Sequence, residues 1–385
     1  MKFWAKAMRF SQEYRTRIRM FFFFPLSFII FFYAWWRFRF VFPRKFRYPG
    51  ALLFTLCFAA VFLQRVVSND FISAVLGIIG SFVTVFLANW IIFCIFWDLY
   101  LGIRRFRGKK KRANKSLRMR KEPLFASAIA ALTLAFFLIG GPLNSGFKML
   151  KTKQVLSTTP KKTLRIALFS DIHFDALFPK SKLERIVDSL RVMRPDAIFF
   201  VGDLADVPAS KLRARGFDSL FKQINAPLGF YVVTGNHESF GQGLEWLRDF
   251  DNVNILLDET ACNNFFCVTG RLDHQYARRH TAGRIPLQNL MPANDSIPWF
   301  LLDHQPRGLD FGDTNLTRKP DFAFSGHTHA GQFFPVTIMI RFIWSLSYGL
   351  GKIDDIPWYV TSGIGQWGPP VRIGSKSELV LFLFE

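Results

Sequence analysis

The sequence predicts an α/β domain behind a helical membrane region, and three observations carry the prediction. Long apolar runs lie before residue 142, short apolar runs alternate with helical stretches from about Leu164 onward, and five of the short runs end in Asp, Asn or His. With 385 residues, half of them apolar, the chain is too apolar for disorder and long enough for two domains.

A transmembrane helix needs about 17–25 mainly apolar residues. The runs at 71–97 and 123–142 meet that length, and a third, at 51–67, meets it by drawing Gln64 and Arg65 toward the interface, where a long side chain snorkels. The run at 20–36 is shorter, carries Pro25 and ends in Tyr33, Trp35 and Trp36, which suit the headgroup level; it reads as a span or an interfacial segment. Trp35-Trp36-Arg37 stands where a signal peptide would have a small-residue cleavage site, so the anchor is expected to be retained. Residues 1–145 are thus assigned as membrane region, 146–162 as linker and 163–385 as the folded domain.

A formal charge of +22 would suggest a nucleic-acid partner, but residues 1–122 hold 23 of the 50 Lys and Arg and only 4 of the 28 Asp and Glu. The excess lies among the apolar runs, where it sets orientation, and no nucleic acid is expected. Lys and Arg number 6 in 1–19, 5 in 37–50, 1 in 64–70 and 11 in 102–122, so an interfacial first segment gives 22 inside against 1 outside. Four full spans would instead put the folded domain inside. The expectation is a multi-pass protein of the cell membrane, in contact with membrane lipids, whose domain beyond residue 145 is extracytoplasmic.

Cys57 and Cys94 lie in apolar runs and read as small buried hydrophobes. Cys262 and Cys267 flank Asn263-Asn264-Phe265-Phe266; a two-residue Asn-Asn turn would not bring them opposite each other, which leaves their pairing open.

Nine strands are expected, at 164–169, 197–201, 230–234, 254–257, 265–269, 299–302, 322–324, 358–361 and 379–384, more than one small sheet holds. Between the first two, Ser181-Lys182-Leu183-Glu184 reads as a capping box, and Leu183, Ile186, Val187, Leu190 and Met193 make one helical stripe that Pro195 ends.

The strand ends carry the chemistry. They read Ser170-Asp171-Ile172-His173, Gly202-Asp203-Leu204-Ala205-Asp206, Gly235-Asn236-His237-Glu238, Asp303-His304-Gln305-Pro306 and Ser325-Gly326-His327-Thr328-His329, and hold five of the seven histidines. Carboxyl ends of neighbouring strands converge in α/β sheets, so these distant positions are expected to form one cluster. Carboxylate, imidazole and amide oxygen suit divalent metals, and two ions about 3.5–4 Å apart can share a carboxylate. Asp203 suits that bridge. The donor set predicts two divalent metal ions and does not distinguish Mn, Fe, Zn, Ni and Co.

This ordered set resembles the calcineurin-like metallophosphoesterases, most closely their membrane-associated bacterial branch, which includes hydrolases of UDP-2,3-diacylglucosamine. The resemblance covers about 163–385. It rests on Asp171-x-His173, Gly-Asp203-x-x-Asp206, Gly-Asn236-His237-Glu238, His304-x-Pro306 and Gly-His327-Thr-His329-x-Gly-Gln332. It implies a four-layer αββα sandwich, with one metal held by Asp171, His173 and His329, the other by Asn236, His304 and His327, and Asp203 between them. It also implies attack on phosphorus by a metal-activated hydroxide. His237 would stabilise the transition state or protonate the leaving oxygen, and Asp206 would hold its ring. Arg372 matches an arginine of the branch and is a candidate substrate-binding residue; Glu238 is another, or a support of the site.

Two departures stand out. Ala330 follows the last ligand where Gly is usual, and Arg271-Leu272-Asp273-His274 replaces a Gly-x-Asp-Asp pattern. The second puts His274, Arg278, Arg279 and His280 in a basic loop that engages a phosphate or is simply solvated. The functional expectation is a membrane-anchored, binuclear-metal phosphoesterase acting on a phosphoester or pyrophosphate bond. Its substrate would be lipid-linked, such as UDP-2,3-diacylglucosamine, or a soluble ester. A non-catalytic membrane sensor or scaffold is the alternative from another class. Neither Gly-x-Ser-x-Gly nor a P-loop sequence occurs, which excludes those nucleophile and nucleotide folds. The oligomeric state is left open.

Overall fold

The computed structural model describes residues 32–34, 36, 37, 41, 43–63, 67, 69–107, 111–140, 146–175, 177–240, 243–310, 312, 313 and 316–385. The chain divides into two compact units, Met1–Val66 with Ile79–Leu134, and Val67–Ile78 with Ala135–Glu385. Most of the 20–36 run lies outside the described residues.

The helical region consists of α1 (Arg47–Leu63), α2 (Asp70–Phe106) and α3 (Lys111–Ala135). Stretches Phe71–Phe106 and Asn114–Leu138 are long and apolar enough to cross a membrane. They expose Phe71, Ile78, Ile95, Phe96, Leu124 and Leu132. The helix expected at 123–142 begins earlier, at Lys111, because the basic stretch before it is rich in good helix formers. Arg37 is fully buried and is held by Asp98 and by Glu122, whose Oε1 lies 2.7 Å away. A buried guanidinium needs such partners.

The second unit contains two six-stranded sheets. Sheet one runs β1 (Phe147–Gln154), β12 (Ser377–Phe384), β2 (Leu164–Phe169), β3 (Ala197–Phe200), β4 (Phe230–Val232), β5 (Val253–Ile255). Sheet two runs β10 (Gly349–Ile353), β11 (Ile356–Val360), β9 (Phe322–Ser325), β8 (Trp299–Leu302), β7 (Cys267–Gly270), β6 (Glu259–Cys262). Strand β12 explains how they stack. Its Val380, Phe382 and Phe384 join a core with Phe300, Phe322 and Phe324 of sheet two, while Leu379, Leu381 and Leu383 face the helix side. A strand buried on both faces reads as a continuous apolar run with period-2 destinations.

All nine expected strands are present, and three more were not foreseen. β1 occupies residues assigned to the linker, pairing in parallel with β12 from Phe147↔Ser377 to Gln154↔Phe384. Its exposed Lys148, Lys151 and Lys153 are the lysines of an edge strand, and they hide its pattern. Helix α4 (Lys180–Met193) buries the expected stripe, but its N-cap is Pro179, without a side-chain cap bond, and Ser181 lies inside the first turn. The capping box is therefore absent: proline's fixed φ already starts the helix. Arg194, at φ 44°, ends it with its amide on the Leu190 carbonyl.

Cys262 and Cys267 form a disulfide and face each other in the β6–β7 register. The loop between them has four residues, not two, because Asn263 Oδ1 accepts from the Phe265 and Phe266 amides at 2.8 and 3.0 Å. The expected basic loop is a helix, α5 (His274–His280), capped by Asp273, which accepts from the Gln275 and Tyr276 amides. Arg278 and Arg279 are exposed on it, whereas His274 is turned to Arg284.

Candidate metal centre

β2, β3 and β4 run parallel in one sheet, and β7, β8 and β9 in the other, so both deliver their carboxyl ends to one rim. Asp171 and His173 follow β2, Asp203 and Asp206 follow β3, and Asn236 and His237 follow β4. From sheet two, His304 follows β8, and His327 and His329 follow β9.

The turns at these ends are locally costly. Asp171, His173, Asp203, His327 and His329 all have positive φ, between 49° and 69°. A left-handed conformation costs a side-chain-bearing residue about 1–2 kcal/mol. Hydrogen bonds hold the turns there: Asp171 N donates to Gly202 O at 2.9 Å and Phe174 N to Leu204 O at 2.8 Å. Close approach is the other requirement. A Cβ on Gly235 would stand 2.1 Å from Asp203 Oδ1, and one on Gly326 2.4 Å from Asp171 Oδ2. Ala330, at φ 50°, sits where glycine would be free of strain.

The donors converge. His173 Nε2 lies 3.1 Å from His329 Nε2 and 3.6 Å from Asp203 Oδ2. His329 Nε2 is 3.4 Å from Asp171 Oδ1. On the other side of Asp203, its Oδ2 is 3.2 Å from His304 Nε2, which is also 3.2 Å from Asn236 Oδ1. Among the described residues three groups, Asp171–His173–His329, His173–Asp203–His237 and Asp203–His304–His327, each keep their ligand atoms within 4.8 Å of one another.

Electrostatics divide the histidines: burial lowers His173 and His304, but Asp206 and Asp203 outweigh it and raise them, while His327 and His329 are lowered. Burial and the neighbouring His304 push His327 down to about 3, and burial with His173 and Arg372 pushes His329 well below the usual range. Both imidazoles are thus neutral and keep a lone pair, the form in which histidine binds metal. Burial would raise Asp203, but His304 and His237 hold it well below the usual carboxylate range. His304 Nδ1 meets the Val201 carbonyl at 2.6 Å, which fixes the ring and leaves Nε2 facing the cluster. A buried set of carboxylate, imidazole and amide oxygen atoms at these spacings suits divalent metals.

The remaining expected residues divide. Asp206 Oδ1 meets His173 Nδ1 at 2.9 Å and His237 Nδ1 at 2.6 Å. Glu238 is buried behind the cluster: its carboxylate accepts from the amides of Asp203, Leu204 and Gly235 at 3.0, 2.8 and 2.6 Å. Arg372 is fully buried, with its guanidinium on the carbonyls of His329, Ser362 and Gly365 at 3.1, 2.7 and 2.8 Å. Both side chains thus brace the backbone around the cluster. Sequence reasoning also missed Ser170, which donates to Asp171 Oδ2, and the rings of Trp344 and Trp367, 5.3 Å from His327 and 6.2 Å from His237. Ser170 adjoins a motif residue and was open to inference; the tryptophans come from loops with no motif.

Residues 164–331 match the model of the calcineurin-like phosphoesterase family. An uncharacterised metallophosphoesterase of Campylobacter jejuni is 29% identical over 75% of this chain and 78% of its own length. A zebrafish (Danio rerio) transmembrane protein with metallophosphoesterase domain is 32% identical over 56% of this chain and 52% of its own. The chain thus spans about half the length of that vertebrate relative. The crystal structure of calcineurin-like phosphoesterase YfkN from Bacillus subtilis aligns at 15% identity and a TM-score of 0.33, over 55% of this chain and 88% of that one. The segment 164–331, which contains all seven converging donors, is the part of the chain that matches the calcineurin-like phosphoesterase family.

Proposed function

We propose that the protein is a membrane-anchored phosphoesterase with two divalent metal ions, built on an αββα sandwich. The observation that carries the reading is the placement of Asp203 between two donor groups, with Oδ2 within 3.6 Å of His173 Nε2 and 3.2 Å of His304 Nε2. One metal would be held by Asp171, His173 and His329, the other by Asn236, His304 and His327, with Asp203 common to both. When bound, two such cations lower the pKa of water and neutralise charge on phosphoryl oxygens. The chain's own part is to place a proton. Burial lowers the affinity of His237 for one, but Asp203 and Asp206 outweigh it and raise the ring to about 9. Asp206 takes its Nδ1, leaving Nε2 to protonate the leaving-group oxygen.

The substrate proposed is lipid-linked, because an anchor beside a hydrolase raises the effective concentration of anything in the bilayer. UDP-2,3-diacylglucosamine is one candidate. The disulfide supports an extracytoplasmic domain, since such bonds persist in oxidising compartments, and the basic loop at 102–122 supports the same sidedness. The test is incubation of purified full-length protein with manganese and a bacterial membrane lipid extract supplemented with that lipid, against Asp203→Asn, read by mass spectrometry. Loss of a phosphorus-bearing lipid with the unmutated protein alone is the expected result. Cleavage of bis-p-nitrophenyl phosphate without any lipid change would move the search to soluble esters. No cleavage of either would favour the sensor or scaffold reading.

A further inference from the structure

Beside the metal centre lies a small cavity, about 50 Å³, lined by His173, Asp175, Phe178, Lys182, Gln366 and Gly368. Two donors on its wall lack an acceptor. Lys182, in the first turn of α4, is only 5% exposed, and makes no hydrogen bond or ion pair among the described residues. Its ammonium has the Phe178 ring at 5.7 Å for company. Gln366 Nε2 is buried without a hydrogen-bond partner. A largely desolvated ammonium without a contacting counter-charge is costly, and so is a buried N–H with nowhere to donate.

The protein's answering charge acts only from a distance: Asp175 favours the Lys182 ammonium but is outweighed. The carboxylate on the cavity wall, Asp175, accepts the Leu177 amide at 2.9 Å and forms no ion pair with Lys182. Burial, with Arg372 and Arg185 nearby, pushes the Lys182 ammonium down to about 7, as expected of a cation among cations. What would satisfy both donors is an anion from outside. We propose that the cavity is an oxyanion subsite, in which Lys182 Nζ and Gln366 Nε2 receive a second anionic group of the substrate, adjoining the phosphoryl group at the metal centre. The assignment rests on the phosphoesterase reading and adds to it a substrate class: esters that carry two neighbouring oxyanions.

The probes are methylenediphosphonate, whose P–C–P bridge resists hydrolysis, and orthophosphate. Each is titrated calorimetrically into manganese-loaded full-length protein and its Lys182→Met and Gln366→Leu variants. Methionine keeps the stem against Phe178 and removes the charge; the Gln366 variant carries the test if Lys182→Met fails to fold. The expected result is diphosphonate affinity weakened about tenfold or more by Lys182→Met and less by Gln366→Leu, the strength of charged against neutral hydrogen bonds. Orthophosphate affinity should move by less than about threefold. Unchanged diphosphonate affinity would overturn the subsite, and equal weakening of both probes would too, since Lys182 would then act on a single phosphate. Subsite binding by a protein that hydrolyses nothing would leave the subsite standing and sink the enzyme reading. Hydrolysis with indifferent variants would do the reverse.

Discussion

Asp206 Oδ1 sits 2.6 Å from His237 Nδ1, and the same oxygen meets His173 Nδ1 at 2.9 Å. One carboxylate oxygen therefore orients two rings, one in the donor cluster and one beside it. Burial alone would raise this carboxyl, but His173 and His237 hold it far below the usual range, so it stays ionised throughout the working pH range. Asp206→Asn keeps the shape and loses the charge. It is expected to lower kcat on bis-p-nitrophenyl phosphate by about 10–100-fold, the scale of removing a partner behind a metal ligand. Metal content, measured by mass spectrometry of the protein digest, should fall less than in Asp203→Asn.

Glu238 and Arg372 predict losses of stability. Glu238 collects three buried amides, and Arg372 supplies three carbonyls. Arg372→Met would strand those carbonyls and is expected to cost about 3 kcal/mol, each unsatisfied buried group being worth about 1–3. Glu238→Gln, which keeps one acceptor and adds a misplaced donor, should cost about 2 kcal/mol. Thermal unfolding of each variant, followed by circular dichroism, reads both numbers. A change within 0.5 kcal/mol would put the braces elsewhere.

Gly235→Ala tests the closeness of the strand ends. The new methyl would fall 2.1 Å from Asp203 Oδ1 and 2.4 Å from its amide, so Asp203 must move. Metal content and activity are expected to drop together by at least about tenfold. Ala330→Gly should act the other way, raising stability by roughly 0.5–1 kcal/mol through relief of a left-handed alanine. It should leave metal content unchanged.

Acid stability follows from His274. Burial and Arg284 push its pKa down to about 3 from 6.5. The folded state therefore prefers the neutral ring, and Arg284 donates to its Nε2 at 2.6 Å. This contribution is complete above about pH 6.5 and is lost as pH falls toward 3, because there the unfolded chain binds a proton that the folded one refuses. A single group changes stability by at most about 1.4 kcal/mol per pH unit. Denaturant melts between pH 7 and 4 should show a shallower loss in His274→Gln than in the unmutated protein.

The sequence reveals the site more fully than the fold around it. All seven donors, from Asp171 to His329, were legible because metal chemistry admits few residue types and the strand order brings their positions together. Strands β2 and β12 were legible from their apolar runs. β1 was not, because an edge strand with three lysines among eight residues resembles a linker, and β6 and β10 lie among polar turns. Arg372 shows the limit on the site side: its type and motif suggest a substrate contact, and only the structure reveals its burial and its bonds to three carbonyls. Lys182 is the converse. It falls inside what reads as a capping box, and nothing in that motif reveals a nearly buried lysine with no ion pair among the described residues.

The place of β12 between β1 and β2 has a consequence for biosynthesis. β1 is made first and β12 after the other eleven strands, and β12 is the neighbour with which β1 pairs. During translation β1 therefore emerges long before its partner exists. For most of that time the chain carries a naked strand edge, the kind of surface that seeks wrong partners. The lysines along β1 gain a second meaning in this light: they keep that edge soluble while the ribosome works toward the strand that completes it.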